Sequence, residues 1–157
     1  MIRLQKILVP VDFSESSLKA ARYGVEIARD RKAKLYFLHV INERIIESIY
    51  DLNLKGYKGD FLAACKNMIR DRQEELLQFV PEDLRKGLDV EFEIRKGKPA
   101  GEIIKFAREH NLDLIVVGTS GRSALEAALV GSVARNVVNH AGCPVLAVRP
   151  IEHDFVV

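Results

Sequence analysis

The chain has 157 residues, 48% hydrophobic and 29% charged, a balance that fits one soluble globular domain over residues 1–157. Twenty-four Lys and Arg against 22 Asp and Glu leave a net charge of +2, too small to point by itself to a nucleic-acid or acidic-membrane partner. No stretch approaches the roughly 18 apolar residues that span a bilayer, and the opening MIRLQKILVPVDF lacks the apolar region and cleavage site of a signal peptide. A cytoplasmic location is therefore expected, with Cys65 and Cys143 as reduced structural thiols, since their spacing fits no metal or redox motif.

KILVPVD (Lys6 to Asp12) is a nearly continuous apolar run and reads as a strand buried on both faces. The helical pattern that follows places Leu18, Ala21, Val25 and Ala28 on one side. KLYFLHVI (Lys34 to Ile41) is the second strand. The segment 42–59 mixes apolar residues with a GYKG turn signal and is longer than a crossover needs, so it reads as a lid or packing insert over the carboxyl end of the sheet. The helix FLAACKNMIRDRQEELLQFV comes next. In LDVEFEI (Leu88 to Ile94) apolar residues alternate with Asp89, Glu91 and Glu93, a period of two that predicts an edge strand with one dry and one wet face.

PAGEIIKFAREHN begins with Pro99 near a first helical position, and DLIVV (Asp113 to Val117) is apolar enough to be a central strand. Ser123 to His140 predicts one or two helical stretches broken near Gly131, and CPVLAVR (Cys143 to Arg149) is the fifth strand. Strands alternating with helices predict an α/β fold: an open, doubly wound, five-stranded parallel sheet with helices on both faces. Apolarity places the strands in the order 3-2-1-4-5.

In that order the ligand crevice lies between strands one and four, beyond their carboxyl ends. Strand one ends there at Pro10, Val11 and Asp12. Strand four ends at GTSGRSALEAALVGS, with Gly118, Gly121 and Gly131 followed by Ser132. Spacing alone leaves two readings open: a phosphate-gripping loop leading to a helix N-terminus, or a tight turn followed by a helix cap. The position at the crevice favours the phosphate, with Arg122 adding positive charge and the Ser132 hydroxyl a donor. Asp12, in D-F-S-E, reads equally as a helix-capping turn residue and as a ligand contact. His39, inside an apolar strand, reads as a packed core residue.

These residues resemble the universal stress protein family, in its nucleotide-binding branch. The family motif G-x2-G-x9-G-[ST] is matched by Gly118, Gly121, Gly131 and Ser132, while KILVPVDFSESS, FLHVI and HAGCPVLAVRP match its first, second and last strands. The resemblance implies an ATP site in which Pro10, Val11 and Asp12 line the adenosine end. Val40 would meet adenine through its backbone, and Gly118 and Thr119 would lie near the ribose. Gly121, Arg122, Gly131, Ser132 and Val133 would hold the phosphates, and Mg2+ or Mn2+ would be carried by those phosphates with no protein metal site. It also implies a homodimer through the last strand. The residues argue likewise, because Val145 to Val148 carry none of the charges that guard an exposed edge.

RKGKPAGE (Arg95 to Glu102) lacks the spacing of a phosphate loop and reads as a strand-to-helix turn. The expected function is a stress-response or signalling module working through nucleotide occupancy. The alternative is a slow ATP hydrolase or nucleotidyl-transfer enzyme in the same pocket. It would need a base near the γ-phosphate, and Glu126 is the one acid between Gly118 and Ser132.

Overall fold

The computed structural model describes residues 1–56, 59–120 and 130–150. Five parallel strands, β1 (Lys6–Pro10), β2 (Lys34–Asn42), β3 (Val90–Gly97), β4 (Leu114–Gly118) and β5 (Val145–Val148), form one sheet in the order β3-β2-β1-β4-β5. This is the architecture and strand order that the apolar runs predict. Alternation explains why β1 is apolar after Lys6: Ile7 and Val9 enter the layer on one face, and Leu8 enters the layer on the other.

The first face is covered by α1 (Glu15–Arg31) and α3 (Phe61–Phe79). Ala20, Ala21, Val25 and Ala28 of α1 and Leu76 of α3 join Ile7, Val9, Phe37 and Val116. The second face is covered by α5 (Pro99–Glu109) and α6 (Ser132–His140), whose Ile103, Phe106, Ala134 and Val137 pack on Leu8, Leu38, Ile115 and Val117. α1 starts at Ser14, whose side chain accepts the Ser17 N–H, and ends at Lys32 in a left-handed conformation. It lies so close to the sheet that a β-carbon on Gly24 would sit 2.4 Å from Val9 Cγ2. Among the described residues, no helix is long and apolar enough to cross a membrane.

The structure corrects several boundaries. β1 stops at Pro10 instead of Asp12, because the next residues turn into α1. β5 is shorter than Cys143 to Arg149 at both ends. The segment after β2 contains a helix, α2 (Glu43–Leu54), started by Asn42, whose side chain accepts the Arg44 N–H. A short α4 (Glu82–Arg85) precedes β3. The strand expected over Leu88 to Ile94 begins later and runs on to Gly97, paired throughout with β2 as far as Asn42.

Nor does β3 have one bare face. Val90 to Arg95 are all half-buried, Glu91 pairs with Lys34 at 2.8 Å, and Arg95 stacks on Phe106 while binding Glu109 at 2.6 Å. Charge partners on β2 and α5 let this edge extend past its apolar alternation.

Candidate functional site

β1 and β4 are neighbours, but the chain leaves β1 into α1 on one face and reaches α6 on the other after β4. The divergence opens a crevice at their carboxyl ends. A cavity of about 430 Å³ lies there, within the range of about 300–1,000 Å³ usual for small-molecule sites. Pro10, Val11 and Asp12 line it from the end of β1, and Val40 lines it from β2. Gly118 and Thr119 approach from β4, and Gly131, Ser132 and Val133 from the start of α6. Gly121, Arg122 and Glu126 fall outside the described residues.

At the β1 end, the Val11 N–H makes the final rung to the Leu38 carbonyl at 2.8 Å. Successive residues of a strand point their backbone groups to alternate sides. The amide and carbonyl of Val40 therefore turn the same way as those of Leu38, past the place where β1 has ended. Asp12 makes the turn that the sequence allows. Its Oδ1 accepts the Ser14 N–H at 3.0 Å and the Ser14 hydroxyl, closing a turn before α1, while the residue also lines the cavity.

Phe13 and His39 were not expected at the site. Phe13 adopts φ +64°, a left-handed conformation rare for so bulky a residue, and its ring lies 4.6 Å from that of His39. His39 is half-buried in the cavity wall instead of enclosed in the core. Its Nδ1 is 2.7 Å from the Val11 carbonyl. A carbonyl can only accept, so this nitrogen carries the proton. Burial pushes the ring's pKa below the ordinary histidine value, favouring the neutral imidazole. The position of His39 at the carboxyl end of a strand was the one sequence signal pointing to the site.

At the β4 end the glycine has a structural reason. A β-carbon on Gly118 would meet Ser16 Oγ at 2.4 Å, the Ser16 carbonyl carbon at 2.7 Å and Ser17 N at 2.8 Å. Gly118 thus admits the backbone of α1, a packing requirement that its spacing in the sequence does not show. Gly131 has φ −61°, which any residue adopts. Its N–H donates to the Thr119 carbonyl, and the Thr119 N–H donates to the Val148 carbonyl at 2.9 Å.

Two groups of polar atoms lack a partner among the described residues. Thr119 is 3% exposed and its Oγ1 has no hydrogen-bond partner there, a condition that costs about 1–3 kcal/mol for a buried polar group. The N-terminus of α6 has no side-chain cap among the described residues. Its first N–H groups, on Ser132, Val133 and Ala134, precede the first intrahelical bond, from Arg135 to Gly131 at 3.0 Å. That end carries the positive pole of the helix dipole.

The rest of the wall is mostly apolar. Ile45 of α2, Met68 and Arg72 of α3, and Ile103 of α5 close the sides. Ile45 and Asn42 place the insert over the carboxyl end of the sheet, as its length suggested. Asp12 is the one acid among the described residues lining the cavity. Among the described residues no group of three or more His, Cys, Asp or Glu side chains is placed to hold a metal ion.

The universal stress protein family model matches residues 3–149. A universal stress protein of Methanocaldococcus jannaschii is 34% identical over 146 residues, covering 92% of this chain and 82% of the relative. A second protein of that organism is 31% identical over 160 residues, covering 94% and 96%. Its solved structure superposes with a TM-score of 0.74 at 28% identity, over 98% of this chain and all of that one. A universal stress protein solved in complex with cAMP matches with a TM-score of 0.61 at 25% identity, over 94% and 98%. The chain belongs to the universal stress protein family.

Proposed function

We propose that this protein binds ATP in the crevice between β1 and β4 and acts as a stress-response or signalling module through nucleotide occupancy. One observation carries the reading. An apolar wall able to hold a base and the uncapped N-terminus of a nine-residue helix face the same cavity. The outward-turned backbone of Val40 offers adenine a donor and an acceptor. Thr119, whose hydroxyl has no partner among the described residues, lines the cavity from the β4 end, where a ribose would lie. A relative's complex with cAMP supports an adenine nucleotide as the ligand class. Gly121 and Arg122 would complete the phosphate end. Mg2+ or Mn2+ would be carried by the phosphates, consistent with a lining in which Asp12 is the one carboxylate among the described residues.

The partner in this reading is a second copy of the chain, joined through Val145 to Val148. β5 is an edge of the sheet, and Ala147 is exposed on it. Pairing edge to edge around a two-fold axis would occupy its outward backbone groups.

Titration calorimetry tests the binding. Wild-type protein takes up ATP more tightly than AMP, while Gly131→Val and Gly121→Val abolish binding and keep the wild-type circular dichroism spectrum. Unchanged ATP affinity in both variants would overturn the assignment. Mass spectrometry of small molecules released from purified protein identifies the nucleotide carried in the cell.

A further inference from the structure

Ser16 has no place in the site as described so far, yet it connects the two halves of the crevice. It is 1% exposed, in the first turn of α1. Its hydroxyl donates to the Ser120 carbonyl and accepts the Ser120 N–H at 3.3 Å, joining residues 104 apart in sequence. Ser120 is itself buried, so without Ser16 both of its backbone groups would lose a partner away from water. On its other side Ser16 Oγ lies 3.5 Å from Ser14 Oγ, which in turn binds Asp12. Ser14 and Ser16 thus stand in contact, each giving its one proton elsewhere, the first to Asp12 in the β1 turn and the second to Ser120 after β4. This row of polar groups joins the two ends.

The position of Ser120 gives this row its meaning. Ser120 ends the described residues that follow β4, and Gly131, just before α6, reaches back through its N–H to the Thr119 carbonyl. The two ties hold Ser120 and Gly131 in place. They therefore fix where the uncapped N–H groups of α6 stand relative to Asp12 and Val11. Gly118 belongs to the same arrangement, since any side chain there would displace Ser16.

We infer that Ser16 is a positioning residue: by holding Ser120 through both backbone groups, it sets the distance between the adenosine end and the phosphate-binding end of the crevice. The inference rests on the ATP reading above and adds to it a coupling that acts without contacting the ligand. Loss of the hydroxyl slackens the phosphate end while leaving the adenosine end, built on β1 and β2, in place. The expected signature is selective. In Ser16→Ala, ATP affinity falls by about tenfold, a difference of about 1.4 kcal/mol, while adenosine affinity changes by less than about twofold. A general loosening of the fold would weaken both alike.

The experiment is a pair of titrations, ATP and adenosine, on wild-type and Ser16→Ala protein, with folding checked by circular dichroism. An unchanged ratio of ATP to adenosine affinity overturns the inference. Failure of the wild-type protein to bind ATP overturns the functional reading instead, so the two outcomes are separable. Amide exchange on the wild-type protein, followed by NMR, gives a test that needs no variant. The Ser120 amide is protected before any nucleotide is added, because its partner is a buried protein hydroxyl. Rapid exchange of that amide in the free protein, slowed only by ATP, would show that the tie is not preformed and would overturn the inference equally.

Discussion

Gly118→Ala separates two reasons for a glycine at the end of β4. The new methyl would lie 2.4 Å from Ser16 Oγ and within 2.7 to 2.8 Å of Ser16 C and Ser17 N. Two of those three atoms are helix backbone, which cannot swing aside as a side-chain tip can. Forcing a methyl into such a site costs about 1–3 kcal/mol. Weakening the Ser16–Ser120 hydrogen bonds adds about 1 kcal/mol. The sum, about 2–4 kcal/mol, is a large part of the ~5–15 kcal/mol that stabilises a typical domain, and lowers the melting temperature by about 4–16 °C for a chain of this size.

The assay is urea unfolding of the ligand-free protein by circular dichroism, with Gly142→Ala as control. No atom lies within 4 Å of a β-carbon on Gly142, and its φ is not positive, so that variant stays within about 1 kcal/mol of wild type. If glycine were needed at 118 only for a ligand to approach, Gly118→Ala would unfold at the wild-type urea midpoint and lose ATP alone. That result would refute the packing argument.

The edge of β5 yields a contrast between two prolines. The carbonyls of Pro144 and Val148 accept from β4, at 3.0 and 2.9 Å, so by alternation Val145 and Ala147 turn their N–H groups outward. Ala147→Pro therefore shifts the protein from dimer to monomer in sedimentation equilibrium at little cost in stability, whereas Val148→Pro lowers stability by breaking the β4–β5 ladder. A monomeric wild-type protein at micromolar concentration would contradict the dimer. Any ATP hydrolysis is slow, well below the ~10 per second median of enzymes, because Asp12, the acid on the described wall, is already engaged by Ser14; release of labelled phosphate within seconds in a single turnover would argue for an enzyme. Stability also carries a pH slope from His39, whose folded pKa lies below the ordinary value of 6.5. Between the two pKa values the unfolded chain holds more protons, so this contribution is complete above about pH 6.5 and is lost as pH falls below it. His39→Gln flattens the urea midpoint against pH in that acid range.

Much of this architecture was legible because buried parallel strands need continuous apolar runs, and KILVP and LIVVG supply them. The order 3-2-1-4-5 followed from which strands were apolar on both faces. Spacing also brought Gly118, Gly131 and Ser132 to one crevice, though not the reason for Gly118, since the approach of α1 is a distance between elements far apart in sequence. The backbone of Phe13 was equally hidden: no propensity assigns a phenylalanine to left-handed φ, and its ring packs against His39 and Phe79, which come from distant elements. Arg72 and Met68 reach the cavity from α3, whose surface pattern does not tell which residues overhang the sheet. β3 outran its alternating pattern because the partners of Arg95 lie on another helix.

The closeness of α1 to the sheet has a mechanical consequence. Gly24 sets the middle of the helix against Val9, and Gly118 sets its first turn against β4, both at contact distance. A helix seated at two such points has no room to slide or roll without overlapping the strands beneath it. Whatever distinguishes the filled from the empty crevice cannot travel through a shift of α1. α2 is under no such constraint: it buries none of its residues completely, and Ile45, at the cavity wall, is 47% exposed. Elements with little buried surface are the ones that open at low free energy. The molecule thus combines a closely packed frame around the crevice with a helix beside its mouth that packs far less surface.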